Sequence, residues 1–243
     1  MMVYFLIPIF NEEKNIPGLF EDIGKTENTA ERFFVFSDDG SSDNSNQVIK
    51  NHFEHANHII LGDGKNYGPG HAFNSGFDWI LKNSKSSEDV IVTMEADRTS
   101  DIGILKNMLA INKLGYDLVL ASVYAQGGGF SQTTFFRKMI SFIANMFFRS
   151  FFGIKILTLS SFYRVYTISI LKKIQEKYKG QIIAERGFIC MLEILVKAIS
   201  CEAKIIEVPM VLHSTKRIGK SKMKIFKTSM AYLKFMMSFE KKG

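Results

Sequence analysis

The chain has 243 residues, 46% of them apolar, with 31 Lys/Arg against 24 Asp/Glu and only 2 cysteines. It is long enough for one substantial core, too apolar for a disordered chain and too poor in cysteine for a disulfide scaffold. No apolar run reaches the ~18 residues a membrane-spanning helix needs, so any membrane contact would be from the surface.

Charge divides the chain. Residues 1–101 carry 8 Lys/Arg and 17 Asp/Glu, whereas residues 102–243 carry 23 and 7. In the basic half the cations alternate with Phe, Met and Ile at helical spacing, which suits an anionic membrane surface and disfavours nucleic acid. Cys190 and Cys201 form no metal-binding pattern and are expected as buried reduced thiols, consistent with a cytoplasmic setting. The N-terminus enters an apolar strand directly, with none of the basic leader or cleavage site of a signal peptide.

In chain order, strands are predicted at Val3–Ile7, Phe33–Ser37, His58–Leu61, Val90–Met94 and Leu118–Ser122. Helices are predicted between them at Asn44–Phe53, Gly70–Leu81 and Ile102–Leu114. This alternation implies an α/β domain with a mainly parallel sheet covered on both faces. Beyond about residue 123 the pattern loosens, with helices at Thr134–Phe152, Gly187–Ile199 and Ser221–Phe239 and extended segments at Ser161–Tyr166 and Lys204–Val208. With no linker in view, residues 1–243 are expected to form one domain, residues 1–123 binding the donor and 124–243 meeting acceptor and membrane.

The motifs cluster at predicted strand ends, where open α/β sheets bind ligands. Pro8-Ile9-Phe10-Asn11-Glu12-Glu13 ends the first strand with a stiff turn and offers Asn11 and Glu12 to a crevice, although acidic residues also suit a helix N-terminus. Asp38-Asp39-Gly40-Ser41-Ser42-Asp43 ends the second; it reads equally as a turn or as two carboxylates addressing a base and a metal-bound phosphate. Asn66–Gly76 is a glycine-bearing loop running into a helix, with none of the Walker signature. Glu95-Ala96-Asp97 places two carboxylates where both can turn toward one hard cation, Mg²⁺ or Mn²⁺. Such an ion would offset charge on a leaving diphosphate.

Two helices look interfacial. In Thr134–Phe152, Arg137, Ser141, Asn145 and Arg149 form a narrow polar stripe on an otherwise apolar surface. In Ser221–Phe239, lysines flank Met223, Phe226, Met230, Leu233 and Met237. The apolar faces would equally serve a homo-oligomer or a membrane-protein partner.

Taken in order, PIFNEE, DDGSSD, NYGPGHA and EAD resemble the family-2 glycosyltransferases. Arg137–Ser141, Ser160–Arg164, Glu207-Val208-Pro209 and Lys216–Lys222 extend that resemblance toward the dolichol-phosphate mannose synthase branch and its bacterial polyprenyl-phosphate relatives. The resemblance implies an A-type glycosyltransferase fold and inverting, metal-dependent transfer from a UDP- or GDP-sugar to polyprenyl phosphate. It makes Pro8, Asn11, Glu12, Asp38, Asp39, Glu95, Ala96 and Asp97 donor contacts, Glu95 and Asp97 the metal pair, and Arg137, Ser141 and Arg217 the acceptor-phosphate contacts. Departures fall at Glu95, usually Asp; at Val123, often Arg; at Thr158 and Phe162, usually Asp and Gly; and at Pro69, commonly Lys. If the acceptor is instead a glycan or glycolipid hydroxyl, a base is required; Glu185 is the first candidate and Glu193 the second, since Glu193 could equally be a helix residue paired with Lys197 at i,i+4. A third reading is a nucleotide-sugar-binding subunit with little activity.

Overall fold

A computed structural model describes residues 1–26, 30–133, 135–219, 230–232 and 234–235 of the chain, without the side chains of 135–137, 140, 144 and 152. Nine strands alternate with seven α-helices among these residues. The main sheet comprises β1 (Met2–Ile9), β2 (Glu31–Asp38), β3 (His58–Leu61), β4 (Val90–Thr93), β5 (Leu118–Ser122), β7 (Arg164–Thr167) and β8 (Ile205–Pro209), in the order β3-β2-β1-β4-β7-β5-β8. All neighbours are parallel except β7, which runs antiparallel to both β4 and β5. A second ribbon pairs β6 (Gly129–Ser131) with β9 (Val211–His213).

Successive residues of the central strands feed opposite faces, as the pleat requires. Tyr4, Leu6, Val35 and Ile91 pack on one side with α3 (Pro69–Asn83), α6 (Ile168–Lys177) and α7 (Cys190–Ser200). Val3, Phe5, Ile7, Phe34, Phe36 and Val92 pack on the other, with α1 (Ile16–Gly24), α2 (Ser45–His52) and α4 (Leu105–Lys113). Burial on both faces explains why these strands read as unbroken apolar runs.

Register fixes the crevice. Ile9 pairs with Asp38 and Leu6 with Thr93, so β1, β2 and β4 present their carboxyl ends along one edge. The three acidic motifs follow those ends.

Along the helix α5 (Phe135–Phe152), Ser141, Asn145 and Arg149 of the polar stripe reach back to the body. Ser141 Oγ meets Tyr124 Oη at 2.7 Å, Asn145 donates to the Leu157 carbonyl and accepts from Leu159 N at 3.2 Å, and Arg149 Nη2 donates to Lys155 O at 3.1 Å. The stripe thus tethers the helix to the body. Phe142, Ile143, Met146 and Phe147 point away and stay 50–52% exposed, flanked by Met139 and Phe151. Of the second expected interfacial helix, 230–232 and 234–235 are helical and the remainder lies outside the described residues. Cys190 is buried and Cys201 half-buried, both as free thiols.

Candidate active site

A cleft of about 1230 Å³ opens over the carboxyl ends of β1, β2 and β4. Its floor is built from two interlocked loops. Asn11, in the left-handed region at φ 54°, accepts from Ser42 N at 2.7 Å and Asp43 N at 3.3 Å, while its own N–H donates to Ser41 Oγ at 2.9 Å. Glu12 N donates to Ser45 Oγ at 2.7 Å, and Glu12 Oε2 accepts from Asn15 at 2.6 Å. A strained asparagine held by these three contacts is a rigid support for a ligand.

The two aspartates of the second motif diverge. Asp39 lines the cleft and accepts from Tyr67 N at 2.7 Å and Gly68 N at 2.9 Å, binding the glycine loop to the sheet. Burial raises its pKa above the usual carboxylate range, against the pull of those two N–H groups. Asp38 is spent within its own turn, accepting from Ser41 N at 3.0 Å and Asn46 Nδ2 at 2.9 Å. Unlike Pro8, Asn11, Glu12, Asp39, Glu95, Ala96 and Asp97, it does not line the cleft.

At the end of β4, Glu95 Oε2 accepts from Ser100 Oγ at 2.7 Å. Burial, then the neighbouring Asp97 carboxylate, pushes its pKa up to about 7. Asp97 Oδ1 accepts from Thr99 N at 3.0 Å and Thr99 Oγ1 at 2.7 Å, while Oδ2 receives Arg217 Nε at 2.6 Å and also its Nη2. Two mutually repelling carboxylates with a guanidinium already drawn to one of them form a site that favours positive charge. Their oxygens suit a hard divalent ion. No group of three or more His, Cys, Asp or Glu gathers around one point among the described residues, so the remaining ligands would come from the substrate or water.

The far wall is the segment 184–189. It is clamped from below by a buried pair: Glu193 accepts from Ala184 N at 3.0 Å and Glu185 N at 2.8 Å, while Lys197 Nζ contacts Glu193 at 2.7 Å and donates to Ile182 O at 2.9 Å. From the side it is clamped by the glycine loop, where Gly70 N donates to Arg186 O at 2.8 Å. A Cβ at Gly68 would lie 2.4 Å from Arg186 O, and one at Gly70 only 1.8 Å from Glu185 O, so only glycine permits this approach. Glu185 and Arg186 are thereby delivered side by side to the cleft, Arg186 with its guanidinium carbon 5.8 Å from the Tyr67 ring centroid.

Sequence reasoning found Glu185 but passed over Arg186, and also Asn15, whose contacts across the cleft join residues 203 apart. The motif Ser160–Arg164 proves architectural in its last member. Arg164 is wholly buried and donates to Leu159 O, Ser161 O, Met191 O and Tyr166 Oη, which holds Ser160 and Phe162 at the cleft. Where the resemblance leads one to expect Asp and Gly, Thr158 pairs with Ser122 Oγ at 2.6 Å and Phe162 packs on Phe73 at 5.1 Å. Glu207 holds the same segment through Leu157 N at 2.7 Å and Thr158 N at 2.9 Å. Ser141 lies against Tyr124 and not in the cleft, and the Arg137 side chain lies outside the described ones.

An α/β sheet with carboxylates aligned at its strand ends and a glycine loop beside them defines a nucleotide-crevice enzyme. The model for "Glycosyl transferase family 2" matches residues 4–175, and the chain belongs to that family and is a glycosyltransferase. It is 27% identical over 228 residues to a polyprenol monophosphomannose synthase of Mycolicibacterium smegmatis, covering 90% of this chain and 79% of that protein. It is 29% identical over 148 residues to an undecaprenyl-phosphate 4-deoxy-4-formamido-L-arabinose transferase of Serratia proteamaculans, of which it spans 42%. Among solved structures, glucosyl-3-phosphoglycerate synthase from Mycobacterium tuberculosis, crystallised with Mn²⁺, UDP-glucose and phosphoglyceric acid, aligns with TM-score 0.65 at 12% identity over 98% of this chain and 79% of that one. That likeness establishes the A-type fold.

Proposed function

We propose that the chain transfers a sugar from a nucleotide sugar, with inversion and with a divalent cation at Glu95 and Asp97, to a hydroxyl of a glycolipid or glycan presented at a membrane surface. The observation that carries the acceptor is the charge of the cleft: among the described residues, seven carboxylates line it against three cationic side chains, one of them, Arg217, engaged by Asp97. A neutral hydroxyl enters such a field more readily than a second phosphate. Glu185 is the base. As the acceptor oxygen attacks the anomeric carbon, its proton passes to Glu185, the bond from that carbon to the diphosphate breaks, and nucleoside diphosphate departs. Bound at Glu95 and Asp97, Mg²⁺ or Mn²⁺ would supply positive charge to the leaving diphosphate. Asn11, Glu12 and Asp39 hold the nucleoside from the floor.

The similarity to the mycobacterial polyprenol monophosphomannose synthase favours a second reading, in which polyprenyl phosphate is the acceptor and Arg217, with Arg137, receives its phosphate. Its oxygen is anionic near pH 7 and needs no base. Glu185→Gln therefore separates the two readings. With labelled UDP- and GDP-sugars and Mn²⁺, the variant is expected to lose about 10²–10⁴-fold of its transfer to hydroxyl acceptors. Transfer to polyprenyl phosphate that stays within a few-fold of wild type would establish the second reading instead.

The membrane surface is read from α5. No described helix is long and apolar enough to cross a bilayer, yet α5 turns four half-exposed large apolar side chains away from the body. Laid in the headgroup layer, that face loses its contact with water, and the basic second half of the chain meets anionic lipid. Replacing Phe142 and Phe147 together by Ser is expected to weaken co-flotation with anionic vesicles by about tenfold or more. Unchanged flotation would remove this helix from the membrane contact.

A further inference from the structure

The segment 214–219 leaves β9 and crosses the cleft as a strap. Its near end is tied where Ser214 Oγ meets Thr133 Oγ1 at 2.6 Å. Its far end is fastened at two points. Ile218 exchanges both backbone groups with one side chain, its N–H donating to Asn15 Oδ1 at 2.8 Å and its carbonyl accepting from Asn15 Nδ2 at 3.2 Å. Arg217 meanwhile places Nε and Nη2 on the single oxygen Oδ2 of Asp97. The other oxygen of that carboxylate already serves Thr99 twice, so Arg217 occupies the side of Asp97 that a cation would need. Asn15 in turn donates to Glu12. Both fasteners therefore end on residues of the donor side of the cleft.

A guanidinium and a divalent ion cannot share one carboxylate oxygen without close repulsion between like charges. We propose that Arg217 is an internal stand-in for the cation: the strap and the cation–nucleoside diphosphate complex compete for Asp97, so loading the donor unfastens residues 214–219 before the acceptor binds. This rests on the cation site proposed above. It gives Arg217 a role before donor loading that is separate from any contact with an acceptor. It also makes binding ordered, because the strap residues Arg217, Ile218 and Gly219 line the same cleft as Glu185.

Competition of this kind lowers apparent affinity by the fraction of molecules already open, and linkage requires the cation to act on the strap by the same factor. The ion pair is partly exposed, with side-chain exposures of 27% and 13%, so the effect is modest, on the order of fivefold. The full chain, wild type and Arg217→Ala, is titrated with Mn²⁺ in the presence of UDP, with bound Mn²⁺ read by its paramagnetic resonance. Hydrogen exchange of peptides covering 214–219 is followed in parallel. Arg217→Ala is expected to bind Mn²⁺ about fivefold more tightly, and Mn²⁺ with UDP to speed exchange of the wild-type strap by a similar factor. Asn15→Ala, which removes the other fastener and leaves both carboxylates in place, is expected to shift Mn²⁺ affinity in the same direction. Equal or weaker Mn²⁺ binding by Arg217→Ala, or strap exchange that ignores Mn²⁺ and UDP, overturns the proposal while leaving the cation site standing. Failure of both chains to take up Mn²⁺ with UDP overturns the cation site and the competition together.

Discussion

Asp97→Asn is expected to lower sugar transfer by about 10²–10³-fold while leaving the fold intact. The loss follows from charge. Asp97 is the carboxylate on which both the proposed cation and the Arg217 guanidinium converge, and removing one preorganised electrostatic partner of a leaving group costs about that much in rate. Stability should hardly change. The amide oxygen of Asn can still accept from Thr99 N and Thr99 Oγ1, and what disappears is a partly exposed ion pair worth roughly 1 kcal/mol or less. The introduced amide hydrogens face the Arg217 donors, so the strap should loosen as well. Transfer of labelled sugar and thermal unfolding, measured on the same preparation, check both halves. Transfer within a few-fold of wild type would remove Asp97 from the chemistry; a large fall in Tm would make it an architectural residue.

The acidic edge of the cleft was legible in the sequence because each motif there depends on a neighbour in the chain. Val3–Ile7, Phe33–Ser37 and Val90–Met94 announce buried strands by their apolar runs, and a strand end fixes where the next few side chains can reach. Parallel register then aligned PIFNEE, DDGSSD and EAD without further information. Asp38 was not separable from Asp39 by such reasoning. The two are adjacent, and only the fold shows that one closes its own turn through Ser41 and Asn46 while the other faces Tyr67 and Gly68. The later half resisted for a different reason. Its contacts join distant residues: Asn15 with Ile218, Asp97 with Arg217, Glu207 with Leu157, and Gly70 with Glu185. The stripe of α5 is the clearest case. Periodicity located Ser141, Asn145 and Arg149 on one face of a helix, but periodicity is symmetric between inside and outside. The carbonyls of Leu157 and Lys155 decide that the polar side faces the protein.

Gly70→Ala is expected to destabilise the protein by about 3 kcal/mol and to lower transfer to hydroxyl acceptors by up to about 10²-fold. The new Cβ would lie 1.8 Å from the Glu185 carbonyl oxygen and 3.0 Å from Cys190 Cβ, and neither side of the contact can yield cheaply. The 184–187 segment is held by the buried Glu193–Lys197 pair through Ala184 N, Glu185 N and Ile182 O. Helix α3 cannot withdraw, because Phe73 and Phe77 are fully buried and a Cβ at Gly76 would lie only 2.0 Å from Leu6 Cδ1, a measure of how closely the helix already sits on the sheet. Strain is therefore shared between helix and loop, and the loop carries Glu185. For a chain of this size the expected fall in Tm is about 6–12 °C. Gly24→Ala supplies the control: a Cβ there meets nothing within 4 Å, at the last residue of α1, and should change stability by about 1 kcal/mol or less. A wild-type Tm and wild-type transfer in Gly70→Ala would show that the glycine loop does not set the position of Glu185. Lost stability with unaltered transfer would show that the 184–187 segment positions nothing the reaction uses.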